Sequence, residues 1–456
     1  MNKKLQLLCL SILLVVPVDA QVEVAQVKVE KARQADAFVE TIGLGGRYDW
    51  MFGHGELDNA KSVLQKTRIR YIRSAVVGEG ADQDAYGAAM KAMMEGLQVK
   101  MCGLVGWSHP GETRAAVERL GPTLYALEGI NEAWERPWGW TGWGNSLDVQ
   151  KFIWELGRTK NLDVYSWTLG GPINSYLLPE FADAYRQTNA WSTHANFHPY
   201  HWYSNPGGRG ITKINGLWQD SETPDQKGGV STLRRLMGDP HKPLVATEWG
   251  WSYEEREGDP YPVSEEARAK FYTRGLLENF NAGLERAFIY SINSNLAYNI
   301  RDGAALRPSG QAIADLIALT QDRGPAFPTK TLNFSLVTDS GLPTTDDHDL
   351  RNDEIHHSLL QKRDGSFVLI LWADKDSHLG DTASEAATLV LPDGAAQLRF
   401  WKPLSHGTKI LATRHTTNSD TAFRLAGELA IPDHPLLIEI TFEPQETSGA
   451  PNDGGK

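Results

Sequence analysis

Residues 126–135 read ALEGINEAWE, and the change of texture inside that stretch decides how the rest of the chain is parsed. A short apolar run, 124–128, stops at Glu128. Polar residues, Asn131 and Glu132 among them, follow at once, and helical periodicity resumes over 149–160. A short apolar run, a polar loop and an amphipathic stretch make one strand-then-helix unit.

The unit recurs on both sides. Strand-like runs lie at 40–43, 69–73, 99–105, 164–169, 195–200, 244–248 and 286–292. Amphipathic stretches fall at 57–66, 84–94, 112–120, 230–237 and 265–282, and a last one at 311–320 follows the eighth run. Eight such units predict an α/β fold of the (β/α)8 TIM-barrel type over 37–323. A doubly wound open sheet shares the alternation, but no Gly-rich phosphate loop follows the first run.

Beyond Gly324 and Pro325 the pattern shortens. Runs at 332–337, 356–361, 367–372, 387–391, 398–401, 409–412, 423–431 and 436–442 are separated by Gly, Pro, Asp and Ser, which predicts an antiparallel β-sandwich over 324–444. Asp364-Gly365 marks a hairpin turn. Within 21–36, Val22, Val24, Val27 and Val29 offer one more strand to the sandwich. Residues 445–456 are rich in Gly, Pro and Asn, and predict a disordered tail.

With 41% hydrophobic and 22% charged residues among 456, a sizeable core forms and wholesale disorder is excluded. Asp and Glu number 57 against 45 Lys and Arg, a net charge of -12, so phosphate backbones are repelled and nucleic acid is not expected as a partner. Lys3 and Lys4, the apolar stretch 5–18 and Val18-Asp19-Ala20 read as a secretory signal peptide, 1–20, with Gln21 the first mature residue. The expected location is therefore secreted or periplasmic. No other stretch reaches the roughly 18 apolar residues a membrane span needs. Cys9 leaves with the leader, so Cys102 stands alone, forms no internal disulfide and reads as a small buried apolar residue.

Chemistry in such a barrel sits where the strands end. The fourth run delivers Asn131 and Glu132 there, and the seventh, PLVATEWGW over 243–251, delivers Glu248. Two carboxyl groups facing each other across a barrel mouth suit glycosidic bond cleavage, which needs one proton donor and one nucleophile or base. A surface carboxylate and a salt-bridge partner are the plainer readings. Glu248 resists them, because an ionised group ending an apolar run is costly without a task or a partner.

Gly129-Ile130-Asn131-Glu132 and Thr247-Glu248 resemble the acid/base and nucleophile motifs of glycoside hydrolase clan A, whose members are retaining barrel enzymes. The chain is most similar to the family 39-like branch with an appended β-sandwich. Ile42-Gly43, Tyr71-Ile72-Arg73, Phe197-His198-Pro199-Tyr200, 306–310, 359–365 and 432–435 carry the likeness over roughly 40–442. It implies Glu132 as general acid and then base, its pKa held high enough to keep a proton. It implies Glu248 as the ionised nucleophile, held by Arg73 and by Tyr200 or His198. Asn131 would bind the sugar 2-hydroxyl. The chain departs from the pattern at the eighth strand end, IYSINSN, where many clan A barrels carry a Trp under the reacting sugar. Tyr290, Asn293 or Asn295 stands there, and Trp249 or Trp251 could supply the floor instead.

Trp134, Trp138, Trp140 and Trp143 crowd the loop after Glu132, either as a stacking platform for a glycan chain or as a loop folded on its own indoles. Trp107 and Trp202 could extend the platform. Trp154, Trp167, Trp372 and Trp401 read as core. His194, His198 and His201 do not form a metal motif, since residues three apart on a strand face opposite ways; His194 reads as structural. Residues 346–349, DDHD, match no metal-loop spacing and read as a solvated loop. No metal and no cofactor are expected. The expected function is a retaining glycoside hydrolase acting by double displacement on a β-linked polysaccharide or oligosaccharide, endo action favoured by the Trp-rich loop. An inverting glycosidase and a non-catalytic carbohydrate-binding barrel are the alternatives.

Overall fold

A computed structural model describes residues 27–48, 56–76, 83–105, 109–132, 145–168, 179–199, 234, 236–254, 263–293, 297–338, 344–345, 355–375, 384–391, 395–403, 409–415 and 423–442. The expected leader, the loop tryptophans Trp107, Trp134, Trp138, Trp140, Trp143 and Trp202, together with Tyr200, His201, Asn295, residues 346–349 and the tail 445–456, lie outside the described residues.

Eight parallel strands form the barrel: β1 (Ile42–Gly45), β2 (Tyr71–Ala75), β3 (Lys100–Leu104), β4 (Leu124–Glu128), β5 (Asp163–Tyr165), β6 (Ala195–Phe197), β7 (Leu244–Trp249) and β8 (Arg286–Tyr290). They pair in the order β5-β4-β3-β2-β1-β8-β7-β6. A parallel bridge between Tyr165 and His194 joins the two ends of that list. Ser166 N–H donates to His194 O at 3.0 Å, and His194 N–H to Val164 O at 3.3 Å. The barrel is closed.

Several of the connecting helices bury one face, as their periodicity predicts. Ser146–Lys160, for example, is capped by Asn145, whose side chain accepts from Leu147 and Asp148 N–H at 3.0 Å, and it turns Val149, Phe152, Ile153 and Leu156 inward. A helix over Pro179–Thr188, between β5 and β6, is one that the periodicity reading did not mark.

The chain then builds two antiparallel layers. Thr331–Thr338 lies between the N-terminal Lys28–Lys31 and Glu385–Leu391, with Phe423–Ile431 beyond. The second sheet runs Ile355–Gln361, Phe367–Ala373, Leu436–Phe442, Ala395–Lys402 and Lys409–His415, and Arg33–Gln34 adds to it in parallel. The hairpin turns at Asp364-Gly365, where Gly365 takes φ 91° and its N–H donates to Lys362 O at 3.0 Å.

Phe367–Ala373, sequence FVLILWA, is buried at every position. Alternation explains why. Phe367, Leu369 and Leu371 enter the sandwich core, while Val368, Ile370 and Trp372 enter the core shared with the barrel. The sheet is thus the middle layer of the molecule. Its barrel-side partner is the helix Glu265–Asn281, of which residues 267–280 are all buried. Polar pairs cross that interface. Lys270 donates to Asp433 at 3.0 Å, Arg274 to Asp374 at 3.3 Å, and Trp372 Nε1 to Glu278 at 3.2 Å. Buried charges on one helix face are tolerated because each meets a partner from the sandwich.

Candidate active site

Inside the barrel, Tyr71, Cys102, Ala126, Tyr165, Val245 and Phe288 form an apolar cluster. One strand period toward the C-terminal mouth, Arg73, Glu128 and Thr247 replace it with polar atoms. Burial pushes the Cys102 thiol well above its usual range, in keeping with an inert core residue.

Arg73 is the hub of the polar layer. Its guanidinium donates to Glu128 at 2.5 Å through Nε and at 2.9 Å through Nη2, to Asn131 Oδ1 at 2.6 Å, and through Nη1 to Glu248. Burial works against its charge, but Glu128 and Glu248 outweigh that and hold its pKa above the ordinary value. Glu128 is fully buried and also accepts from Asn196 Nδ2 at 3.0 Å and Thr247 Oγ1 at 2.8 Å. A carboxylate so buried needs every one of these donors.

Glu248 reaches this layer through an irregularity in β7. Ala246 is in register with Ala287, but Trp249 is in register with Ile289, so three steps on β7 match two on β8. The extra residue is a bulge. It lets Thr247 and Glu248 both face inward and sends Trp249 out to the helix layer.

Glu132 is placed differently. Gly129 is packed so closely that a Cβ would lie 2.6 Å from Gln150 Oε1 and 2.8 Å from Trp167 N. Past that contact, Thr168 N–H donates to Ile130 O at 3.1 Å, and Glu132 N–H donates to Thr168 Oγ1 at 3.1 Å. Glu132 itself sits at φ 45°, a left-handed conformation rarely held by glutamate, which turns its half-buried carboxylate toward β6 and β7.

His198 lies between the two acids. Its Nδ1 is 2.8 Å from Glu132 Oε1 and 3.7 Å from Glu248 Oε2, and Nε2 is 3.0 Å from Thr247 Oγ1. Burial lowers the imidazole pKa, but Glu248 and Glu132 together raise it above 6.5. One carboxylate oxygen of each glutamate and a ring nitrogen of His198 all lie within 4.8 Å of one another. A cation seated there would compete with the Glu132–His198 hydrogen bond and share Glu248 with the Arg73 guanidinium, so the donor set suits proton handling better than metal binding.

Five sequence-derived candidates therefore meet at one place: Glu132, Glu248, Arg73, His198 and Asn131. Asn131 turns its carbonyl oxygen to Arg73, so that among the described residues its NH2 group is left for a ligand. Asn293 is committed elsewhere, its amide accepting from Arg47 N–H at 2.8 Å and donating to Arg47 O at 3.0 Å, which ties the loops after β1 and β8 together. Trp249 and Trp251 are a correction. They are 0% and 1% exposed and pack edge-on against each other and against Tyr272, so neither floors a sugar site. Tyr290 at the end of β8 is half-buried against Tyr298, and its bond to Ser291 is cis. His194 is structural as expected, bonded to Thr193 at 2.7 Å and Glu285 at 3.0 Å. Glu128 and Asn196 were not singled out from sequence, and Thr247 entered only as the neighbour of Glu248 in its motif. The desolvation argument that marked Glu248 applies equally to Glu128, at the end of its own apolar run.

A closed (β/α)8 barrel whose mouth gathers two glutamates from β4 and β7, followed by a β-sandwich, is the class that fold and site define. Two solved structures match the fold. An arabinofuranosidase aligns over 91% of this chain and 100% of its own, at 9% identity and a TM-score of 0.52. The family 51 α-L-arabinofuranosidase AbfB of Bifidobacterium longum covers 90% of this chain and 97% of its own, at 10% identity and a TM-score of 0.51. A GH128 endo-beta-1,3-glucanase of Amycolatopsis mediterranei, solved with laminaritriose, covers 61% of this chain and 99% of its own, at 13% identity and a TM-score of 0.39. No protein-family model matches the chain, and no curated protein matches its sequence.

Proposed function

We propose that this protein is a secreted or periplasmic retaining glycoside hydrolase of the clan A type, close to the family 39-like branch, that cleaves a β-linked polysaccharide or oligosaccharide. The observation that carries the reading is the approach of the two carboxylates, with oxygens within 4.8 Å and unlike partners on each. Retaining enzymes hold their two carboxyl groups about 5–5.5 Å apart, whereas inverting ones leave about 6.5–9.5 Å for a water.

The partners divide the roles. Glu248 bears the Arg73 guanidinium, which aims it as nucleophile. Glu132 bears an imidazole instead and takes the acid/base part. In the first step Glu132 protonates the leaving-group oxygen while Glu248 bonds to the anomeric carbon. In the second, Glu132 removes a proton from water, the resulting hydroxide attacks the same carbon, and Glu248 leaves as carboxylate. The Trp-rich loop after Glu132 supports a polymeric substrate and endo action.

The test is a glycan panel that includes β-glucans and arabinofuranosides, run with wild type, Glu248→Gln and Glu132→Gln. Glu248→Gln abolishes turnover. Glu132→Gln spares substrates with good leaving groups, and equal loss on good and poor leaving groups removes its acid role. A wild type that binds glycans with no product formed, and variants of unchanged affinity, would make the barrel a binding protein.

A further inference from the structure

We infer that Thr247 locks His198 in its Nε2–H tautomer, so that the Glu132–His198 hydrogen bond stores the one proton used in acid/base transfer. The tautomer follows from counting protons. Asn196 places its NH2 group on two acceptors, Glu128 Oε1 at 3.0 Å and Ser166 O at 3.2 Å, so its Oδ1 faces Thr247 at 2.9 Å. Glu128 Oε1 faces the same hydroxyl at 2.8 Å and, with Arg73 on both its oxygens, is a carboxylate. Thr247 has a single proton and two pure acceptors waiting for it. Its hydroxyl therefore turns a lone pair to His198 Nε2 at 3.0 Å, and that nitrogen carries the proton.

With Nε2 protonated, neutral His198 has a bare Nδ1. The 2.8 Å contact to Glu132 then requires one proton, on the carboxyl or on the ring. Among the described residues, Glu132, Glu248 and Arg73 are charged groups that bear on this ring, with Glu128 beyond Thr247. While Glu248 is ionised 3.7 Å away, the imidazolium form is favoured and the proton rests on Nδ1. As Glu248 bonds to the anomeric carbon its charge disappears, and so does that preference. The proton passes through the Glu132 carboxyl to the leaving oxygen as the glycosidic bond breaks. Glu132 is left ionised against a bare Nδ1 lone pair, two acceptors in contact. Taking the proton of the attacking water relieves that repulsion and restores the pair as Glu248 departs. His198 thus acts through Glu132, and Thr247 through His198; both are positioning residues.

The tautomer stands on geometry, whereas the transfer sequence rests on the proposed hydrolase reading; the two are tested separately. In protein carrying 15N-labelled imidazoles, titrated to a pH at which His198 is neutral and assigned by the His198→Gln variant, Nε2 of His198 reports as protonated and Nδ1 as bare in the wild type. Thr247→Val shifts the ring toward Nδ1–H, and Thr247→Ser restores it. A wild-type ring with a bare Nε2, or a Thr247→Val spectrum identical to wild type, overturns the inference whether or not any glycoside is hydrolysed. On a substrate with a poor leaving group, Thr247→Val loses about tenfold or more in kcat/KM and shifts the pH–rate profile, while Thr247→Ser keeps both. An unmoved profile with a changed tautomer would refute the proton store and leave the hydrolase reading standing.

Discussion

Replacing Arg73 with Met tests whether the polar layer is held together by one guanidinium. The change is close to isosteric along the stem and removes a charge that is 5% exposed. It deletes two hydrogen bonds to Glu128, one to Asn131 and one to Glu248. Glu128 keeps Asn196 and Thr247, but the guanidinium that bridged the two carboxylates is gone. Breaking a buried ion pair by removing one partner costs about 3–5 kcal/mol. Here one cation serves two acids, so the upper part of that range is expected. Urea unfolding, followed by indole fluorescence and by far-UV circular dichroism with coincident transitions, measures the loss. The double variant Arg73→Met/Glu128→Gln removes one of the two stranded charges and should recover more than about 1 kcal/mol relative to additivity. A loss below about 1 kcal/mol in the single variant, or strict additivity in the double, would refute the argument.

At the interface between barrel and sandwich, Lys270→Met takes the ammonium from the buried Asp433 carboxylate and should cost about 3 kcal/mol, whereas Lys270→Met/Asp433→Leu should recover most of it. Calorimetry should show one transition that moves as a unit; two separate transitions would show that the layers unfold independently. The raised His198 pKa means the folded state binds that proton more tightly than the unfolded chain does. Its contribution is fully present below about pH 6.5 and is lost as pH rises through the folded value. The stability gap between wild type and His198→Gln should therefore be larger at about pH 5.5 than at about pH 9, and a gap independent of pH would contradict this.

Much of the barrel was legible because its signals are local. An apolar run with a polar strand end recurs eight times and a 3.6-residue period seven times, and each is set by residues near in sequence. The same locality placed Glu132 and Glu248 at strand ends, and Asp364-Gly365 in its hairpin. The helix Pro179–Thr188 escaped that reading. The two tryptophans beside Glu248 were misjudged for a different reason. Strict alternation over Thr247, Glu248 and Trp249 says only that neighbours face opposite ways, and a one-residue bulge settles which of them faces the mouth.

By itself the sequence determined the order of the barrel strands, the division into barrel and sandwich, and the pair of acids worth following. Tertiary structure alone decided that Arg73 also grips the buried Glu128, that His198 meets Glu132 as well as Glu248, and that Trp249 and Trp251 are core. It also decided that Lys270, Arg274 and Glu278 are buried rather than solvated. The physical reason is common to all of these. Hydrophobic periodicity and turn chemistry act over a few residues, whereas the partner that makes a buried charge or hydroxyl tolerable comes from another strand, 55 residues away for Arg73 and Glu128 and 175 for Arg73 and Glu248.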